Sequence, residues 1–205
     1  MNGYDFRGKT KEQQDIAKNF FGIGQQNKSS CLSKPMSLEE FDKLVDAKKT
    51  AFNVKKKGLA KLGIDENQVR EINPVNFWGF DKKKSVSIRN NRGNCITETW
   101  LFFSETQIYI YSFTFDMISQ NTSEKTEEYF YKDITNFSSY DESIEKNIYV
   151  AGSGCKQATF AKGIVEYAEF KVVVPGESFF TPVIANDETE KKVQAMKQKL
   201  REKKQ

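Results

Sequence analysis

No histidine occurs anywhere in the 205 residues. Histidine is the commonest general acid–base and metal ligand near neutral pH. Its absence removes Ser-His-Asp and Cys-His nucleophile systems, HExxH zinc sites and histidine-bearing zinc fingers. The chemistry that remains must come from carboxylates, thiols or ammonium groups. Of the adjacent carboxylates, two pairs invite a general acid–base reading, Glu127 with Glu128 and Asp141 with Glu142. Adjacent residues on a strand point to opposite faces, so Glu127 and Glu128 cannot easily share one proton. Asp141 and Glu142 read as part of a loop. Cys31, Cys95 and Cys155 are far apart and form no C-x-x-C pair, which reads as free thiols in a reducing cytoplasm. The glycine pairs Gly22/Gly24 and Gly152/Gly154 are too short to cradle phosphate and read as linkers and turns. These residues lead us to expect no catalytic residue and no cofactor.

The cations offer a second chemistry. Lys82, Lys83 and Lys84 fall between two predicted strands, and Arg89 and Arg92 flank the next turn. At adjacent hairpin ends these five would form a rim for an anionic ligand, each properly placed cation adding about 1 kcal/mol at an anionic lipid surface. The plainer reading is a solvated hairpin tip. Lys55, Lys56 and Lys57 read as the wet side of a helix. Charge is unevenly spread: residues 1–70 carry 14 Lys/Arg against 9 Asp/Glu, residues 71–184 carry 11 against 15, and residues 185–205 carry 7 against 4. A nucleic-acid binder concentrates positive charge on its reading surface. Here the aromatic-rich middle is the negative part, so nucleic acid is not expected as a partner.

Three zones must position these residues. The first, 1–72, has a helical pattern. A helical segment over 11–21 is followed by a polar linker over 22–34 that is expected to be partly mobile. Ser37 and Glu40 make a capping box. Behind it Leu38, Phe41, Val45, Phe52, Leu59 and Leu62 recur at helical steps, with Leu44, Ala47, Ala51 and Val54 widening the stripe. One helix over 38–62 is therefore predicted, ended by Gly63 and packed on its own domain, with a short helix over 65–72 before Pro74.

The second zone changes period. Residues 74–80, 85–89, 96–103, 107–115, 126–137, 165–174 and 178–185 are short β-branched or aromatic runs separated by turn signals. Seven strands in an antiparallel meander are predicted, with one long connection over 141–163 and a further short strand within 147–151. In the run ETWLFFSETQIYIYSFTF, residues 98–115, Ser104 to Thr106 form a tight turn. Ile108 and Ile110 then face one way and Tyr109, Tyr111, Phe113 and Phe115 the other. Both faces are apolar, which marks a packed wall rather than a ligand-stacking surface. The third zone is one helix over 187–203, started by an Asp187/Glu190 cap and carrying Val193, Met196 and Leu200 as a narrow apolar stripe.

Seven antiparallel strands followed by one amphipathic helix is the order of a pleckstrin-homology (PH) fold. The stretch EEYFYKDITNFSSY, residues 127–140, resembles the bacterial PH-like and GRAM-like pattern, as do VVVPGESFFTPV and KKVQAMKQKLREKK near the end. GIDENQVREINPVNFWGF, TWLFFSETQIYIYSFTFD, YFYKDITNF and MKQKLREKK are similar to an uncharacterised bacterial family with such a barrel, over residues 50–205. Some members of that group carry a zinc ribbon built on a cysteine pair. Cys31 stands alone here, so no metal is expected. The resemblance implies an α+β fold, in which N-terminal helices (1–72) precede a PH-like seven-stranded antiparallel barrel (73–205, strands 74–185) capped by the C-terminal helix. It carries no activity with it.

The N-terminus, MNGYDFRGKTKEQQ, has no apolar core of a secretory signal, and no run reaches the roughly 18 apolar residues of a membrane span. The expectation is a cytoplasmic, non-enzymatic interaction module that binds a protein or peptide partner. The alternative is a peripheral binder of anionic membrane surfaces through Lys82, Lys83, Lys84, Arg89 and Arg92. A carboxylate-based enzyme is a distant third.

Overall fold

A computed structural model describes residues 5–23, 35–69, 73–150 and 159–204. The chain is α+β, with two mostly antiparallel sheets and helices at both ends of the sequence. The expected linker over 22–34 lies almost wholly outside the described residues, as do Cys31, Cys155 and residues 70–72 of the expected short helix.

The first helical stretch begins with α1, Lys11–Asp15, capped by Thr10, whose hydroxyl accepts from the Gln13 amide while the Gln13 side chain accepts from the Thr10 amide. It continues as a π-helical turn, Ile16–Phe20, which buries Ile16, Ala17 and Phe20. The capping box of Ser37 and Glu40 starts α2, Leu38–Phe52. The single helix expected over 38–62 is in fact two. Asn53 adopts a left-handed conformation (φ 45°, ψ 58°) that ends α2 and begins α3, Val54–Leu62. Asparagine tolerates this region better than most residues, and the bend lets two helices follow one twisted sheet. Ala47 and Ala51 are both exposed on α2, although the expected stripe would have buried them. The helix expected over 65–72 is described only as a short 3-10 turn, Glu66–Val69.

Nine strands are described: β1 Val75–Phe80, β2 Ile88–Arg89, β3 Arg92–Gly93, β4 Cys95–Phe103, β5 Gln107–Asp116, β6 Thr122–Phe130, β7 Asn136–Val150, β8 Thr159–Val174 and β9 Glu177–Val183. One sheet runs β1-β4-β5-β6 and the other β3-β2-β7-β8-β9. Among the described residues the sheets do not join into the expected seven-stranded closed barrel. The strands themselves depart from the expected ones in three places. Residues 88–93 form a miniature hairpin, because Asn90 and Asn91 both take positive φ. The strand expected over 126–137 breaks at residues 131–135, where the amides of Asp133 and Ile134 turn back to the carbonyls of Phe130 and Tyr131. Residues 141–150 and 159–163 of the expected connection are instead strand, in a ladder paired from Asn136↔Val173 to Val150↔Thr159. The short strand expected within 147–151 is the end of β7, up to Val150, with Ala151 outside the described residues.

The two faces of the first sheet seed two cores. Tyr111, Phe113 and Phe115 lie in one with Phe20, Phe21, Phe41, Val45 and Val54 from the N-terminal helices. Phe20 and Phe41 stack there with centroids 4.0 Å apart. The helices therefore pack on their own sheet. Ile108 and Ile110 lie in the other core with Phe77, Phe170 and the stripe Val193, Met196 and Leu200. That stripe belongs to α4, Asp187–Lys203, whose N-cap is Asn186, accepting from the Thr189 amide, rather than the expected Asp187. Its three buried side chains contribute about 1.5–3 kcal/mol each. The sheets also meet through hydroxyls: Thr99 lies 2.7 Å from the Ser112 oxygen and 2.6 Å from that of Thr181. Next to this seam Gly79 admits the backbone of β9. A Cβ there would lie 2.7 Å from the Val183 nitrogen.

Candidate functional site

The β8–β9 ladder ends at Ala168↔Val183, whereas β8 begins nine residues earlier, at Thr159. Over residues 159–167 the ladder partner of β8 among the described residues is β7 alone. The chain leaving β9 turns toward β1, where the Ile184 amide donates to the Trp78 carbonyl at 3.1 Å. A groove of about 840 Å³ opens at this divergence. Its floor is apolar, made of Trp78 and Phe80 of β1 with Val183 and Ile184. One wall is α2, through Asp42, Val45 and Asp46. The other is the β7–β8 hairpin, through Asp141, Ser143, Glu166 and Ala168.

Register explains the second wall. Asp141 is opposite Ala168 and Ser143 opposite Glu166, on the same face as the core residues Phe137, Phe170 and Val172. Where the first sheet no longer covers that face, the pattern switches from Phe and Val to Asp, Ser and Glu. The expectation that Asp141 and Glu142 sit in a loop is corrected: they are successive strand residues on opposite faces. Glu142 lies 2.6 Å from Lys83 Nζ, while Asp141 and Glu166 have no ion-pair partner among the described residues. Glu127 and Glu128 likewise alternate on β6, opposite Ile110 and Tyr109.

The five expected rim cations are brought to one region, and each holds a partner within the chain. Lys82 Nζ donates to the Glu166 carbonyl at the groove and reaches Asn91 Oδ1 at 3.4 Å. Burial pulls its pKa down, against the opposing pull of Glu166. Lys83 bridges Glu142 and Glu169 at 2.6 and 2.9 Å. Burial disfavours its charge, but those two carboxylates outweigh it and raise the pKa. Lys84 pairs with buried Asp81 at 3.2 Å. Arg89 donates to the carbonyls of Phe20 and Met36 and lies over the Phe20 ring. Arg92 grips Asp42 with two nitrogens, which raises its pKa. Lys55, Lys56 and Lys57 follow the solvated-face reading only in part, because Lys57 lies 4.4 Å from the Phe113 ring and Lys55 pairs with Glu66.

Sequence reasoning missed Glu98. Its carboxyl is buried on β4, accepting from Trp100 Nε1 at 2.8 Å and Asn76 Nδ2 at 3.1 Å, while Oε2 has no hydrogen-bond partner. Burial raises its pKa against the pull of Trp100, Lys49 and Asn76. The signal was present: Glu98 sits within an otherwise apolar strand, where a charge needs partners. The groove was also missed, because its walls come from segments more than 90 residues apart. Among the described residues no group of three or more Cys, Asp and Glu side chains is arranged to hold a metal ion. Among the same residues no helix is long and apolar enough to cross a membrane. No family model, curated protein or solved structure matches the chain.

Proposed function

We propose that the chain is a non-catalytic interaction module of the pleckstrin-homology kind that holds an extended segment of a protein partner. The kinship is supported by the order of elements: four antiparallel strands (β1, β4, β5, β6), then three (β7, β8, β9), then a packed C-terminal helix. The hairpin β2–β3 is then an insertion in the first connection. The groove is the observation that carries the partner reading. It combines an apolar floor, polar walls and a strand that has lost one ladder neighbour. Such an edge supplies main-chain hydrogen bonds for affinity, and the floor supplies side-chain selection.

The alternative, a peripheral binder of anionic membranes, draws less support, because Lys82, Lys83, Lys84, Arg89 and Arg92 all hold acceptors inside the chain. Each would have to leave a partner to meet a lipid headgroup. Selection from a display library of random peptides, run on the wild type and on Ser143→Trp, tests the partner reading. Ser143 is exposed and lines the groove, so the indole obstructs it without entering a core. Peptides enriched on the wild type and lost on the variant are the expected result. Equal enrichment on both, with retention of the protein on anionic but not neutral vesicles at physiological salt, would reverse the ranking.

A further inference from the structure

The partner's chemistry follows from the same groove, and this inference rests on the partner reading above. We infer that the docked segment is cationic: an extended stretch with lysine or arginine at alternate positions, its basic side chains against Asp141 and Glu166.

The chain as a whole carries a net charge of +4. The groove has the opposite sign: it is lined by five carboxylates, Asp42, Asp46, Asp141, Glu142 and Glu166, against two cations, Lys82 and Arg92. Three of the five are engaged, Asp42 by Arg92, Asp46 by Lys49 at 3.6 Å and Glu142 by Lys83. Asp141 and Glu166 make no ion pair among the described residues, Lys82 reaching Glu166 only at its carbonyl and feeling its carboxylate at longer range, and both are exposed. Because Asp141 pairs with Ala168, Glu166 is its diagonal neighbour on the same face, a relationship that spans about 7–8 Å. Alternate side chains of an extended segment are spaced by about 6.5–7 Å, so one such segment can present a cation to each carboxylate. The residues beside them, Ser143 and Ala168, are small and leave room for long side chains. Ile164, two residues before Glu166 on that face, is 75% exposed and offers an apolar contact for the aliphatic stems of those basic side chains. The Glu166 carbonyl, now taken by Lys82, is an acceptor that an incoming main-chain amide can use instead. An anionic segment would meet two exposed carboxylates that no ion pair holds and is disfavoured.

The test uses the full chain and three fluorescein-labelled ten-residue peptides in which valine alternates with lysine, with glutamate or with serine. Binding is read by anisotropy at physiological salt. The lysine peptide is expected to bind at least about tenfold more tightly than the glutamate peptide. The double variant Asp141→Asn/Glu166→Gln should weaken it by about five- to tenfold, which lies within what two exposed ion pairs supply. Ser143→Trp, or Ala185→Trp as a second obstruction, should abolish binding. Removing two exposed carboxylates elsewhere, Asp133→Asn/Glu177→Gln, should leave it within about twofold. If the three peptides bind equally and Ser143→Trp abolishes all of them, the groove reading stands and the cationic inference falls. If the control variant weakens binding as much as the groove variant, attraction is diffuse and the inference falls. If both obstructing variants bind the lysine peptide like the wild type, both readings fall.

Discussion

Arg92 and Asp42, fifty residues apart, form a two-point ion pair: Nη2 lies 2.8 Å from Oδ2 and Nε lies 3.2 Å from Oδ1. It joins the β2–β3 hairpin to α2 and so fixes one wall of the groove. Its parallel contacts are specific to a guanidinium. With the Arg92 and Asp42 side chains 31% and 40% exposed, solvent screening limits its worth to about 0.5–1 kcal/mol. Arg92→Ala and Asp42→Ala should each destabilise by that order, and the double variant by less than their sum. Urea denaturation in low and high salt checks this, with coupling that shrinks as salt rises. Arg92→Lys should recover only part of it.

Gly79 is the point at which β1 admits the backbone of β9. A Cβ there meets the Val183 nitrogen at 2.7 Å and the Pro182 carbonyl carbon at 2.8 Å, neither of which is a flexible side-chain end. Gly79→Ala should therefore destabilise by about 1–3 kcal/mol, the usual cost of overpacking. Thermal denaturation measures this. An unchanged or raised midpoint would mean that the sheets separate here without penalty.

The buried Glu98 carboxyl predicts a pH dependence of defined sign. Burial raises its folded-state pKa above the ordinary 4.5, so the folded state binds this proton more tightly than the unfolded state does. Its contribution is most favourable below pH 4.5 and is lost as pH rises through the folded value. Glu98→Gln removes this titration while leaving an oxygen to accept from Trp100 and Asn76. The stability of wild type minus variant, from urea melts across pH 4 to about 8, should fall with rising pH. A difference that grew with pH would mean that the carboxylate is favoured by the fold.

Cys95 is half-buried on β4, and its thiol is pushed up to about 12 by burial, with Asp116 and Asp81 adding to the effect. The thiolate is the reactive form. Iodoacetamide at pH 8, followed by peptide mapping, should leave Cys95 unlabelled in the native protein and label it in urea. Rapid native labelling would contradict this environment.

The legible parts of the fold were those in which one local pattern sufficed. The alternation of Ile108 and Ile110 with Tyr111, Phe113 and Phe115 gave both faces of β5 their cores, and Val193, Met196 and Leu200 defined the buried face of α4. The break between β6 and β7 was hidden because residues 131–135 contain neither glycine nor proline. The hairpin arm was hidden by charge: Asp141, Glu142, Glu145 and Lys146 read as a loop, since a two-stranded arm beyond the core needs no apolar alternation. The cations at 82–92 were found by residue type, but their partners Asp42, Glu142, Glu166 and Glu169 come from other elements. Only the fold brings those to the hairpin, so a predicted rim became a set of internal anchors beside a groove.

The account's central claim is that a partner segment docks beside β8 where β9 has left it. Amide hydrogen exchange of the full chain, with and without a saturating peptide from the display selection, tests this most directly. Slowed exchange over residues 160–167 of β8, with β6 unchanged, is the predicted result. Protection confined to β6 or α4, with residues 160–167 unaffected, would place the partner elsewhere and contradict the claim.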